Sequence, residues 1–120
     1  MSFTIDTYAL VEIFEGNQKY LIYKSENLVT TRFNLFEFYY VVLSKYGKEK
    51  ADIVFKNYKD IAKEVNDDVL KSAAEFKLEH KKKRFSFTDC IGYKHAEAIG
   101  AKFLTGDYVF KEMPNVEFVQ

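Results

Sequence analysis

SFTIDTYALVEIF, residues 2–14, changes its period at Asp6. SFTID, 2–6, reads as a short strand, and TYALVEIFEG, 7–16, then places Leu10, Val11 and Phe14 at helical spacing. Gly16 suits the end of that helix. A strand that runs straight into a helix is the repeating piece of a sheet built with crossover helices. The same change of period returns near the other end of the chain. AKFLT, 101–105, reads as a strand, and DYVFKEM, 107–113, as one short helix stopped by Pro114.

The segments between fit the same scheme. NLVTT, 27–31, predicts a strand. NLFEFYYVVLSKYG, 34–47, is apolar on nearly every face and predicts a buried helix. KEKADIVFKNYKD, 48–60, puts Ala51, Val54, Phe55 and Tyr58 on one helical face, and IAKEV, 61–65, suits a short strand. Asn66 or Asp67 caps a helix running to about Lys82, with Val69, Leu70, Ala73 and Phe76 inward. SFTDCIGYKHAEAIG, 86–100, opens with Ser-x-x-Asp and ends on glycine, and VEFV, 116–119, closes the chain as a strand. Strands alternate with helices. The expected class is α/β, with a mainly parallel central sheet of about four to five strands and helices on both faces.

A length of 120 residues suits one domain, 1–120, and no linker or repeat divides it. Eighteen basic and eighteen acidic residues cancel, so the chain is no general polycation. Any nucleic-acid contact must come from local charge, and KKKR, Lys81 to Arg84, is the clearest block. One cysteine, Cys90, excludes an internal disulfide and predicts a reduced, cytoplasmic setting. No apolar run approaches the roughly 20 residues of a membrane span, and MSFTIDTYAL lacks the basic start of a signal peptide.

Four acids stand out. Asp6 and Asp107 each end a predicted strand and open a helix, and Asp89 lies in the first turn of another. Carboxyl ends of parallel strands share one edge, where ligands bind at the reversal of strand order. Each Asp also has a plain structural role open to it, as an N-cap or a capping-box member. Glu37 sits in LFEFYYVVL with no Lys or Arg three or four residues away. Glu37 could lie on an exposed sliver of the helix; a buried carboxylate without a partner costs several kcal/mol, so if buried it must be protonated, paired from elsewhere or bound to a cation. Acids that share a site repel, and a divalent ion reverses that penalty. Oxygen ligands alone favour Mg²⁺, with Mn²⁺ possible, over zinc. His80, His95 and Cys90 form no zinc-like set.

These segments, in this order and spacing, resemble a PIN-domain ribonuclease, and more closely the VapC-type toxins of toxin–antitoxin pairs. The resemblance runs over nearly the whole chain and is most specific from Ser86 to Phe110. It implies a PIN-like three-layer fold. It also implies that Asp6, Glu37, Asp89 and Asp107 are the catalytic acids that hold Mg²⁺, supported by Thr7 and Thr105. Asp6 and Asp89 would hold the principal ion, Glu37 would bind it or position water, and Asp107 would be peripheral or hold a second ion. Many relatives carry another acid two positions after the last Asp, where this chain has Val109.

The implied activity is Mg²⁺-dependent cleavage of RNA phosphodiester bonds by water. Lys81, Lys82, Lys83 and Arg84 would meet backbone phosphates. The family also implies a cognate antitoxin, whose C-terminal segment can place an Arg among the acids, and a homodimer. An alternative reading is a PIN-fold RNA- or protein-binding module with little nuclease activity, toward which Val109 leans. An aspartyl phosphatase would need a second Asp where Tyr8 stands, a receiver domain an acidic residue where Ile5 stands, and no P-loop is present.

Overall fold

A computed structural model describes residues 1–120. The five strands are β1 (Ser2–Ile5), β2 (Asn27–Thr31), β3 (Ala62–Lys63), β4 (Lys102–Thr105) and β5 (Val116–Phe118). The five α-helices are α1 (Thr7–Phe14), α2 (Arg32–Tyr46), α3 (Lys48–Tyr58), α4 (Asp67–Glu79) and α5 (Phe87–Ala98). The strands are connected through the helices, one after β1, two after β2 and two after β3. All neighbouring strands pair parallel, in the order β3-β2-β1-β4-β5. The α/β class with one parallel sheet holds as expected.

Pleating divides the sheet residues between two cores. Phe3, Ile5 and Leu104 pack with Leu10 and Ile13 of α1, Phe38 and Val42 of α2, and Ala51 and Val54 of α3. Phe103 joins a separate cluster with Phe76 of α4, Ile91, Tyr93 and Ala96 of α5, and Phe85 and Phe110. The helices therefore form layers on both faces. β2 and β3 lie on one side of β1, and β4 and β5 on the other. Strand order reverses at β1, so the crevice belongs between the carboxyl ends of β1 and β4.

Several expectations change in detail. The predicted buried helix, α2, buries only Asn34, Leu35, Phe38 and Val42. Phe36 is 74% exposed and Tyr40 64%, because α1 and α3 cover one side of α2 and leave these rings outside. Leu70, expected inward, lies at the surface, since Val69, Ala73 and Phe76 already fill the contact with α5. Residues Gln18–Ser25 form a 3-10 segment that no periodicity announced. DYVFKEM shrinks to one 3-10 turn, Tyr108–Phe110, and α4 stops at Glu79, short of Lys82. No helix is long and apolar enough to cross a membrane.

Candidate active site

Three of the four acids begin as caps. Asp6 is the N-cap of α1, and its Oδ1 accepts the Ala9 N–H at 2.8 Å. Asp107 caps the 3-10 turn by accepting the Val109 N–H at 3.2 Å. Asp89 completes a capping box. It accepts the Ser86 N–H at 2.9 Å, while Ser86 Oγ accepts the Asp89 N–H at 3.0 Å. The structural roles open to these residues are thus filled. Asp89 and Asp107 each use one carboxylate oxygen in the cap, which leaves the other for an outside cation.

A cap does not explain the electrostatics. Asp6 is 1% exposed and forms no ion pair. Burial pushes its carboxyl up to about 8, against the pull of Thr105 and Ala9, and repulsion from Asp89 and Asp107 adds to the rise. Asp89 is pushed up to about 6, first by burial and then by the charges of Asp107 and Glu37. Asp6 and Asp89 are therefore each pushed up by neighbouring acids, and none of the four acids has a Lys or Arg partner. Glu37 is half-buried on α2, less enclosed than its apolar neighbours in sequence imply.

Thr105 ties the pocket together. Its hydroxyl donates to Asp6 Oδ2 at 2.5 Å and accepts the Asp107 N–H at 3.0 Å. Thr7 accepts from the Asn34 side-chain amide at 3.2 Å. Sequence reasoning passed over Asn34, although it is buried in α2 one turn before Glu37. Asn34 Oδ1 accepts from Thr31 Oγ1 at 2.7 Å, and its N–H is capped by the same hydroxyl at 3.1 Å. The signal was a Thr-x-x-Asn pattern where α2 leaves β2. Asn34 thus links the helix of Glu37 to the residue after Asp6. Tyr8 was also passed over. Burial, and then the charges of Glu12, Asp6 and Asp107, push its hydroxyl up.

Gly106 lies in the turn between Thr105 and Asp107, where no side chain fits. A Cβ there would lie 2.3 Å from the Val119 carbonyl oxygen and 2.3 Å from the Tyr8 ring. The turn is pressed between α1 and the chain end, where the Val119 N–H donates to Thr105 O at 2.9 Å.

The donor chemistry fits a hard divalent cation, because the acids offer only oxygen and Asp6 is desolvated without a counter-charge. As placed, however, no three His, Cys, Asp or Glu side chains converge closely enough to hold one ion. His95 takes no part. It is buried against Thr4 Oγ1 at 3.0 Å.

The basic block divides. Lys82, Lys83 and Arg84 line a depression of about 310 Å³ with Tyr108, Val109, Lys111 and Glu112. Lys81 turns to another depression, with Lys77, Leu78 and Phe87. Lys111 is a cation that sequence reasoning did not join to the block, because 27 positions separate it from Arg84.

The PIN domain family model matches residues 3–116. The chain belongs to the PIN domain family. Its PIN fold is similar to Mycobacterium tuberculosis VapC20, described as a sarcin-ricin loop cleaving toxin, with a TM-score of 0.77 at 17% identity over 98% of this chain and 99% of that one. It is also similar to a chain of DNA-bound VapBC from Salmonella typhimurium, with a TM-score of 0.73 at 15% identity over 99% and 97%. VapBC-1 of nontypeable Haemophilus influenzae gives 0.74 at 14% identity over 100% and 98%. No curated protein sequence matches the chain.

Proposed function

We propose that this PIN domain is a Mg²⁺-dependent ribonuclease and the toxin of a type II toxin–antitoxin pair. One observation carries the reading. Asp6 is buried at the sheet's reversal point, has no cationic partner, and is repelled by Asp89 and Asp107. Membership of the family and the likeness of its fold to VapC proteins support the same reading.

Asp6 and Asp89 would hold the ion, with Glu37 and Asp107 at its edge. When bound, Mg²⁺ supplies Lewis acidity and neutralises charge developing on the phosphate. Cation binding would favour the charged forms of Asp6 and Asp89, against the burial that pushes both carboxyls up. Thr105 would hold Asp6 in place, and Glu37 would orient the attacking water. Lys82, Lys83 and Arg84 would attract the RNA backbone. The partner would be an antitoxin whose Arg pairs with the acids. The exposed Phe36 and Tyr40 face of α2 is available to that antitoxin or to a second copy.

The test is RNA decay in Mg²⁺ buffer. Asp6→Asn and Asp89→Asn should each slow it by at least about 100-fold, and EDTA should stop it. If decay survives both substitutions, the site is wrong. The second reading, a PIN-fold binding module, draws on the unconverged acids and on Val109. It requires RNA or protein binding without decay in the unsubstituted chain.

A further inference from the structure

We infer that the depression beside Asp107 is a binding strip for single-stranded RNA, in which Tyr108 stacks on a base and Lys82, Lys83, Arg84 and Lys111 meet phosphates. The inference rests on the ribonuclease reading and adds two substrate-binding residues to it, Tyr108 and Lys111.

Two distant segments build the strip. The turn after α4 supplies Lys82, Lys83 and Arg84, and the segment after β4 supplies Tyr108 and Lys111. Buried rings clamp the two together. Phe85, next to Arg84, stacks on Phe110 with centroids 4.6 Å apart. Each wall also leads to a candidate catalytic acid. Arg84 precedes Ser86, the cap that holds Asp89, and Tyr108 follows Asp107 directly. A strand lying in the strip would reach the acidic crevice without crossing the molecule.

The charge is local and unspent. Four cations face one acid, Glu112, in a chain whose net charge is zero. None of the four forms an ion pair within the protein. Phosphates replacing their counterions would gain free energy by ion release. The aromatic group separates nucleic acid from a merely acidic partner. Tyr108 is 66% exposed, and the Lys111 ammonium stands 5.4 Å from its ring centroid. A ring in water beside cations is the pairing by which single strands are held, with bases stacked and backbone tracked. Bases within an A-form duplex are stacked on each other and do not offer a face.

Anisotropy of a labelled 12-nucleotide single-stranded RNA, in EDTA so that no strand is cut, tests the strip. Tyr108→Ala should weaken binding about 5- to 100-fold, and Tyr108→Phe should restore it. Lys82→Ala and Lys111→Ala should each flatten the salt slope by about 0.7. The same sequence as a duplex should bind weakly and ignore Tyr108. In Mg²⁺, Tyr108→Ala should raise KM while kcat stays within about twofold. Equal binding by wild type and Tyr108→Ala overturns the inference. So does an absence of binding by wild type, or displacement of RNA by polyglutamate of equal charge. Cleavage lost in Asp89→Asn would still uphold the nuclease reading in those cases, which separates the two failures.

Discussion

The Thr105 hydroxyl donates to Asp6 Oδ2 at 2.5 Å and so joins the carboxyl ends of β4 and β1. Thr105 Oγ1 also accepts the Asp107 N–H at 3.0 Å. One buried hydroxyl therefore sets the separation of two acids that are 101 positions apart in sequence. Thr105→Val keeps the shape and removes both bonds. It should destabilise the fold by about 1–3 kcal/mol in urea titration, because a buried N–H loses its acceptor. Thr105→Ser should recover most of the loss. Equal stability of Thr105→Val and wild type would remove Thr105 from this role.

The protonation of Asp6 gives a pH dependence with a definite sign. Burial holds its folded pKa at about 8, well above the ordinary carboxyl value of 3.8. The folded state binds this proton more tightly, so the contribution to stability is full below about pH 4 and is lost as pH rises toward 8. Without divalent ions, Asp6→Asn should abolish that component of the decline. It should also raise Tm at pH 8 by about 5 °C or more. Saturating Mg²⁺ should stabilise wild type at pH 8 and leave Asp6→Asn little changed. Identical Tm-against-pH profiles for the two proteins would contradict the assignment.

Gly106 lacks room for any side chain. Gly106→Ala puts a methyl against the Val119 carbonyl and the Tyr8 ring, and backbone cannot yield as a flexible side chain does. A loss of about 1–3 kcal/mol in denaturant midpoint is expected. Protection of the Val119 amide against hydrogen exchange should fall with it. An unchanged midpoint would show that the segment after β5 moves aside freely.

Asn34 is expected to act on Glu37 through position. Asn34→Ala removes the bonds to Thr7 and Thr31 and should cost about 1–3 kcal/mol in chemical denaturation. Asn34→Asp keeps the acceptor for Thr31 but not the donor to Thr7, and should recover only part of it. Full recovery by Asp would mean that the link to Thr7 contributes nothing.

Much of this arrangement was legible in the sequence for local reasons. The change of period at Asp6 and at Asp107 marks strand ends directly, and a parallel sheet brings such ends to one edge. Ser86 and Asp89 announced their capping box by spacing alone. What stayed hidden depends on contacts across the fold. The apolar sequence of α2 is the same whether Phe36 is covered or exposed, and only the placement of α1 and α3 leaves it outside. Lys111 joins Lys82 because Phe85 and Phe110 stack, and no local pattern encodes that. Asp6, Asp89 and Asp107 also cap their own helices or turns, and spacing cannot say how a carboxylate divides itself between a cap and a cation.

The central claim is that the crevice between β1 and β4 binds a divalent ion through these acids. Anomalous scattering from Mn²⁺-soaked crystals tests it most directly. The account predicts a single strong peak between Asp6 and Asp89, with carboxylate oxygens about 2.0–2.2 Å away and Glu37 or Asp107 turned toward it. Crystals soaked at saturating Mn²⁺ that show no peak in this crevice, with Asp6 still bound only to Ala9 and Thr105, would contradict it.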